Sequence, residues 1–134
     1  MASNLFRVRC RCGNVVNAAP GSMCGKCKNP LPFHPDALIT LYRKGSPLGV
    51  AAGFEVYLNG VSMGKIGNKE TVKMPVPYGI YNLHVACGMS RNCNDMKFVL
   101  TPNERFGFFK VWMKPGMWTN DFVLEVSTPD EMPE

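Results

Sequence analysis

From residue 37 to residue 126, apolar side chains recur at every second position in short runs separated by Gly, Pro and Asn. Leu38, Thr40 and Tyr42 alternate with Ile39, Leu41 and Arg43, and Phe54, Val56 and Leu58 alternate with Glu55, Tyr57 and Asn59. A period of two belongs to a strand with one buried face, and no segment carries the 3.6-residue stripe of an amphipathic helix. The chain is therefore confined to mainly β architectures. Asn59-Gly60 is a type I′ hairpin signal, because both residues tolerate positive φ, and a strand over 61–66 follows it. Gly67-Asn68 turns the chain again, and a short strand over 71–74 is interrupted by Pro75 and Pro77.

Tyr81, Leu83, Val85 and Cys87 make one face of the next strand; Met96, Phe98 and Leu100 make the following one. After the turn at 101–104, an aromatic strand runs over 106–113. Its apolar face changes between Phe108 and Phe109, which predicts a bulge there. Phe122, Leu124 and Val126 form the last strand. The reading is an antiparallel β-sandwich of about seven to eight strands over residues 37–128, followed by a frayed acidic tail over 129–134.

The first 30 residues are too few to build a core, and they carry four cysteines instead. Cys10 and Cys12 are separated by one residue, Cys24 and Cys27 by two, and eleven residues lie between the pairs. Two facing thiolate pairs can supply the ligands of a tetrahedral structural zinc ion. A regular knuckle would place its first cysteine at position 9, which is Arg9, so Cys10 must ligate from a tighter turn. The alternative ligand set is three cysteines with His34. A dithiol redox pair at Cys24 and Cys27 is the competing chemistry, but it calls for a helix N-terminus that Lys28-Asn29-Pro30-Leu31-Pro32 cannot start. The expected organisation is a zinc ribbon over 1–30, a stiff proline-rich linker over 31–36, and the sandwich.

The net charge of +5 is uneven. Residues 1–36 hold Arg7, Arg9, Arg11, Lys26 and Lys28 against Asp36 alone. Four thiolates around one zinc carry a charge of about −2, so these cations are expected mainly to neutralise the site; the alternative is a surface for a polyanion. The N-terminus lacks the apolar core of a signal peptide and no run of 18 apolar residues exists, so the expectation is a cytoplasmic chain without a membrane span. Reduced thiols there favour metal ligation, and Cys87 and Cys93 are expected as free thiols rather than a disulfide.

Residues 8–33 resemble the small N-terminal zinc ribbon of zinc-bearing cytoplasmic thioredoxins. The resemblance rests on Val8-Arg9-Cys10-Arg11-Cys12-Gly13, Val16-Asn17, Pro20 and Cys24-Gly25-Lys26-Cys27-Lys28-Asn29-Pro30-Leu31. It implies zinc on the four cysteines, and nothing after residue 33 resembles a thioredoxin domain. Residues 54–85 look like a PEGA-type β-domain, through Asn59-Gly60 between two strands and Pro77-Tyr78-Gly79-Ile80-Tyr81 leading into a third. That likeness implies a small accessory β-sandwich without catalytic residues.

No nucleophile, histidine and carboxylate recur in a triad pattern, His84 reads as a solvated strand residue, and Gly45-Ser46-Pro47-Leu48-Gly49 lacks the lysine of a phosphate-binding loop. The chain reads as a non-catalytic binding or adaptor protein whose partner is another protein or a second copy of itself. The aromatic stretch from Phe106 onwards is either core or a partner surface; the candidate contact residues are Phe109, Lys110, Trp112, Lys114, Met117 and Trp118. Two rival readings remain: a nucleic-acid-binding ribbon using Arg7, Arg9, Arg11, Lys26 and Lys28, and a thiol redox protein using Cys24 and Cys27.

Overall fold

The computed structural model describes residues 5–44, 54–86, 95–114 and 121–128. The expectations for Cys87, Cys93, Met117, Trp118 and the acidic tail fall outside these residues. The described chain forms ten strands and no helix. Strands β1 (Phe6–Arg9) and β2 (Val15–Ala18) make a two-stranded antiparallel sheet. The others are β3 (Ala37–Arg43), β4 (Phe54–Leu58), β5 (Val61–Ile66), β6 (Thr71–Val76), β7 (Gly79–Ala86), β8 (Met96–Leu100), β9 (Phe106–Lys114) and β10 (Asp121–Val126). They build two four-stranded sheets, ordered β10-β9-β3-β6 and β5-β4-β7-β8. Inward residues of both sheets, among them Ile39, Leu41, Phe54, Val56, Met74, Leu83, Val85 and Leu124, form one core.

Local chemistry explains most of this. Asn59 (φ 52°) and Gly60 (φ 79°) supply the two positive-φ residues of the β4–β5 hairpin. Asn59 also accepts the Asn82 N–H on its side-chain oxygen at 2.8 Å, so the turn residue continues the ladder towards β7. The Tyr81 hydroxyl donates to the Pro77 carbonyl at 2.5 Å and closes the turn into β7, which gives the Pro-x-Gly-x-Tyr pattern a physical role. Pro75 lies inside β6 without ending it. The Leu38 N–H opposite points away, to the Arg105 carbonyl on the β9 side, so the proline nitrogen faces away from β3, on the side where β1 packs, and no ladder bond is lost.

Two features differ from the sequence reading. All strand pairs are antiparallel except β3 and β9, which run parallel from Leu38↔Phe106 to Arg43↔Val111. β9 arrives from the opposite sheet through the turn at 101–104, so no hairpin fixes its direction relative to β3. The bulge expected in β9 is absent: its register is continuous with β3 on one side and β10 on the other. Gly107 takes an inward slot that Phe109 fills from two residues away, since a Cβ on Gly107 would lie 2.9 Å from the Phe109 ring. The face therefore never changes: Gly107, Phe109 and Val111 point inward, and Phe106, Phe108, Lys110 and Trp112 point outward.

The bulge lies in β5 instead. Pairing with β4 slips between Glu55↔Lys65 and Tyr57↔Ser62, around Gly64 at φ 81°. The two-stranded N-terminal sheet packs across this side of the sandwich, β1 lying against β6 and both of its strands reaching β5. Val8 turns into a small cluster with Cys10, Cys24 and Leu31, while Arg7, on the other face of β1, is buried against β5. The Arg7 guanidinium donates to the carbonyls of Met63 (3.1 Å) and Lys65 (2.8 Å) and to the Asn17 side chain (2.6 Å), and it pairs with Glu70 at 3.4 Å. Arg9 donates to the Ser62 carbonyl at 3.1 Å. One residue further along β5, the Ile66 carbonyl accepts from Arg43, which is 1% exposed with its guanidinium 3.6 Å from the centre of the Phe54 ring.

Gly64 cannot carry a side chain without cost. Its φ is positive, and a Cβ would stand 3.2 Å from the Arg7 guanidinium and 3.3 Å from Val15. Gly64→Ala is expected to destabilise the protein by about 1–2 kcal/mol, read from the urea midpoint, whereas Gly60→Ala, open around its Cβ, carries only the backbone part of that loss.

Candidate metal centre

Two tight turns bring the thiols together. The first begins where β1 ends: Gly13 N–H donates to the Cys10 carbonyl at 2.9 Å, Cys10 N–H donates to the Asn14 carbonyl at 2.8 Å, and Gly13 adopts φ 94°. Only one residue separates the cysteines here because the turn folds directly back towards β2. Position 9, where a regular knuckle would hold its first cysteine, is used by Arg9 to reach the Ser62 carbonyl. The second turn closes through Lys28 N–H to the Cys24 carbonyl (2.9 Å) and Cys24 N–H to the Asn29 carbonyl (2.8 Å), with Lys28 at φ 65°.

The Sγ atoms of Cys10, Cys12, Cys24 and Cys27 all lie within 4.8 Å of one another. Cys10 and Cys27 are 3.3 Å apart, Cys12 and Cys24 3.7 Å. These are not disulfides, whose sulfurs sit ~2.0 Å apart. A tetrahedral thiolate centre with bonds of ~2.3 Å needs sulfurs ~3.8 Å apart, and the four thiols bracket that spacing. Cys10 and Cys24 are buried. The donor set thus fits one metal ion, with Cys10 included despite its irregular spacing. His34 belongs to a different place, the groove lined by Phe33, Pro35 and Phe106, and is not part of the cluster.

The turns also polarise the sulfurs unequally. The Cys24 thiol falls to about 6, held down by the backbone N–H of Cys27, the Asn14 amide (3.6 Å) and the Lys26 N–H (3.4 Å). For Cys10 the Cys12 N–H acts in the same direction, but hydrogen bonds shared with the Cys27, Cys12 and Cys24 thiols, together with burial, push it up to about 11. Four thiols around one point cannot all ionise without a cation among them.

The cations of this segment are differently placed from the sequence reading. Arg7, read as a neutralising or phosphate-binding group, is 7% exposed and engaged with the sandwich. Burial lowers its pKa from the ordinary arginine value, and Glu70 partly restores it. Of the candidate partner residues, Phe109 is a correction: it is 3% exposed, lies in the sandwich core, and its ring stands 4.6 Å from that of Phe98. Lys110 and Trp112 point outward on the same strand, with the Lys110 ammonium 5.8 Å from the Trp112 ring centre. The Lys114 side chain lies outside the described residues. His84 pairs with Asp95 at 2.6 Å on the outer face of the other sheet.

No protein-family model matches the chain, and neither does any curated protein or solved structure. Among the described residues, no helix is long and apolar enough to cross a membrane.

Substitution separates the ligands from the rest. Cys10→Ser and Cys24→Ser are each expected to lower bound metal from one equivalent per chain to well below one, as measured by elemental analysis after gel filtration; full occupancy in Cys10→Ser would remove it from the set. Arg7→Met is expected to keep the metal but lose about 3 kcal/mol of stability in urea, because two carbonyls and Glu70 lose their shared donor.

Proposed function

We propose that the chain is a non-catalytic binding module in which one structural zinc ion, held by Cys10, Cys12, Cys24 and Cys27, forms a ribbon that covers one edge of a β-sandwich. The convergence of four thiols at tetrahedral spacing carries this reading. Soft thiolates in a four-sulfur set favour zinc, and four protein ligands leave no open position for a substrate or an activated water. Zinc binding can supply roughly 10–16 kcal/mol in small peptides, enough to fold a segment whose own apolar cluster is small, Val8, Leu31 and the cysteines with Val16, Ala18 and Phe33 packed against them. The folded ribbon then delivers Arg7 and Arg9 to β5. The resemblance of residues 8–33 to thioredoxin-associated zinc ribbons supports the same assignment of the metal.

The thiol redox reading has one observation in its favour, the low pKa of Cys24. Against it, Cys24 is 1% exposed and no helix terminus adjoins it. A buried thiol committed to a metal has no access to a disulfide substrate.

Native mass and metal analysis test the proposal together. The expected result is one zinc per chain, four thiols shielded from alkylation until a chelator is added, and release of zinc on acidification, because the ligands must be thiolates and protonation competes with the metal. Since the Cys10 thiol is protonated at neutral pH without metal, loading is also expected to release protons into a weakly buffered solution. Rapid alkylation of the zinc-loaded protein, with turnover of a disulfide substrate, would replace this reading by the redox one.

A further inference from the structure

We infer that the outer face of the β10-β9-β3-β6 sheet binds single-stranded nucleic acid; this rests on the reading of the chain as a binding module and names its ligand. The outward positions of β9 are Phe106, Phe108, Lys110 and Trp112, and the parallel register sets Tyr42 beside Lys110. Rings and cations are interleaved. The Lys44 ammonium lies 5.1 Å and the Lys110 ammonium 5.8 Å from the centre of the Trp112 ring, and the Arg105 guanidinium lies 5.4 Å from that of Phe106, a residue 56% exposed. Lys73 on β6 adds a further cation opposite Thr40.

Among the described side chains, Glu125 is the one acid at an outward position of these strands, 3.3 Å from Lys110. The acids Glu55 and Asp95 belong instead to the outer side of the opposite sheet, with Tyr57 and His84. There Lys65 and Lys97 offset the two acids, so that face is balanced in charge, whereas Lys44, Lys73, Arg105 and Lys110 outnumber Glu125 on the face of β9.

That combination selects the ligand. Protein–protein interfaces enrich aromatic residues but deplete lysine from their centres, whereas here lysines stand between the rings. Binding of a single strand without sequence preference needs just this pairing, with phosphates near cations and bases stacked on ring faces. A sheet face lacks the projecting helix or ribbon that enters a duplex groove, so the strand is single. Along β9, Phe106 and Phe108 are ~7 Å apart and Phe106 and Trp112 ~20 Å, which accommodates several nucleotides. Beyond Phe106 the face opens into an apolar groove of about 400 Å³ walled by Phe6, Phe33, Pro35 and Pro75.

The test is fluorescence anisotropy of labelled oligo-dT and oligo-rU titrated with the zinc-loaded full chain at low and at physiological salt. Expected are binding that weakens as salt rises, a loss of roughly tenfold in Phe106→Ala, and a shallower salt dependence in Lys73→Gln by about one phosphate contact. Tyr57→Ala, on the opposite sheet, is expected to bind as the parent does. Thermal melts of each variant confirm folding; should Phe106→Ala fail to fold, Lys73→Gln and Trp112→Phe carry the test. Absence of binding at low salt overturns the inference. So does binding lost in Arg11→Gln but kept in Phe106→Ala, which would place the strand on the ribbon. Competition by polyglutamate equal to that by oligo-dT also overturns it, in favour of an acidic protein partner. Zinc content and thiol shielding measured on the same sample keep the two readings apart: with both intact and no oligonucleotide bound, only this inference fails.

Discussion

The Arg7 guanidinium is the contact through which the two parts of the molecule hold each other. It occupies the place where β5 is kinked by its bulge and accepts no further strand, and it bonds two of that strand's carbonyls while Glu70 balances its charge. An exposed sheet edge is a template for unwanted pairing, and proteins cover or twist such edges. Here both devices coincide. Gly64 allows the bulge and leaves room for the arginine, and the same residue's missing side chain admits Val15 of β2. The arrangement depends on the four-cysteine cluster, because β1 has no core of its own beyond the residues around Cys10 and Cys24. The thiol centre joins the turns on either side of this small sheet and so helps hold Arg7 in register with Met63 and Lys65, beside the Arg9 contact to Ser62.

This dependence was only half legible in the sequence. The thiol pairs declare themselves by spacing and by Gly13, and even the irregular Cys10 follows once its turn is seen to run straight into β2. The role of Arg7 was hidden because its main acceptors are backbone carbonyls 56 and 58 residues further on, exposed by a bulge that one glycine creates. A cation among cysteines reads naturally as a counter-charge to the site. What could have pointed elsewhere is the alternation of β1, where Phe6 and Val8 share one face and Arg7 and Arg9 the other. A strand of that pattern has a wet or hydrogen-bonding side, and the sandwich edge supplies the acceptors.

In the sandwich, several strand boundaries that rested on turn chemistry were readable: Asn59-Gly60 at positive φ, the 67–70 turn, and the Pro77 to Tyr81 turn closed by the tyrosine hydroxyl, whereas Pro75 does not end β6 at Met74 as its ring suggested. Pairing between strands distant in sequence was not, since no local signal states that β9 lies parallel to β3. The misplaced bulge has a specific cause. Apolar residues at both parities of β9, with a glycine at one inward position, imitate a change of face. Counting Gly107 as a core position filled by the Phe109 ring restores strict alternation.

Once that alternation is restored, the outer rings of β9 require an explanation that the core cannot give. Phe109 and Val111 already fill the interior opposite Phe98. Phe106, Phe108 and Trp112 contribute nothing to that layer, and solubility would be served by polar residues in their places. Lys44, just after β3, and Lys110 of β9 stand over the Trp112 ring rather than away from it. On the opposite sheet, at equivalent outward positions, the chain places one ring, Tyr57, with Asn82 and His84, and balances Glu55 with Lys65 and Asp95 with Lys97. Two faces of one sandwich share the same fold constraints, so a difference in their chemistry reflects what each one meets. The face that combines rings with positive charge is the one shaped for a ligand that brings both π-surfaces and negative charge.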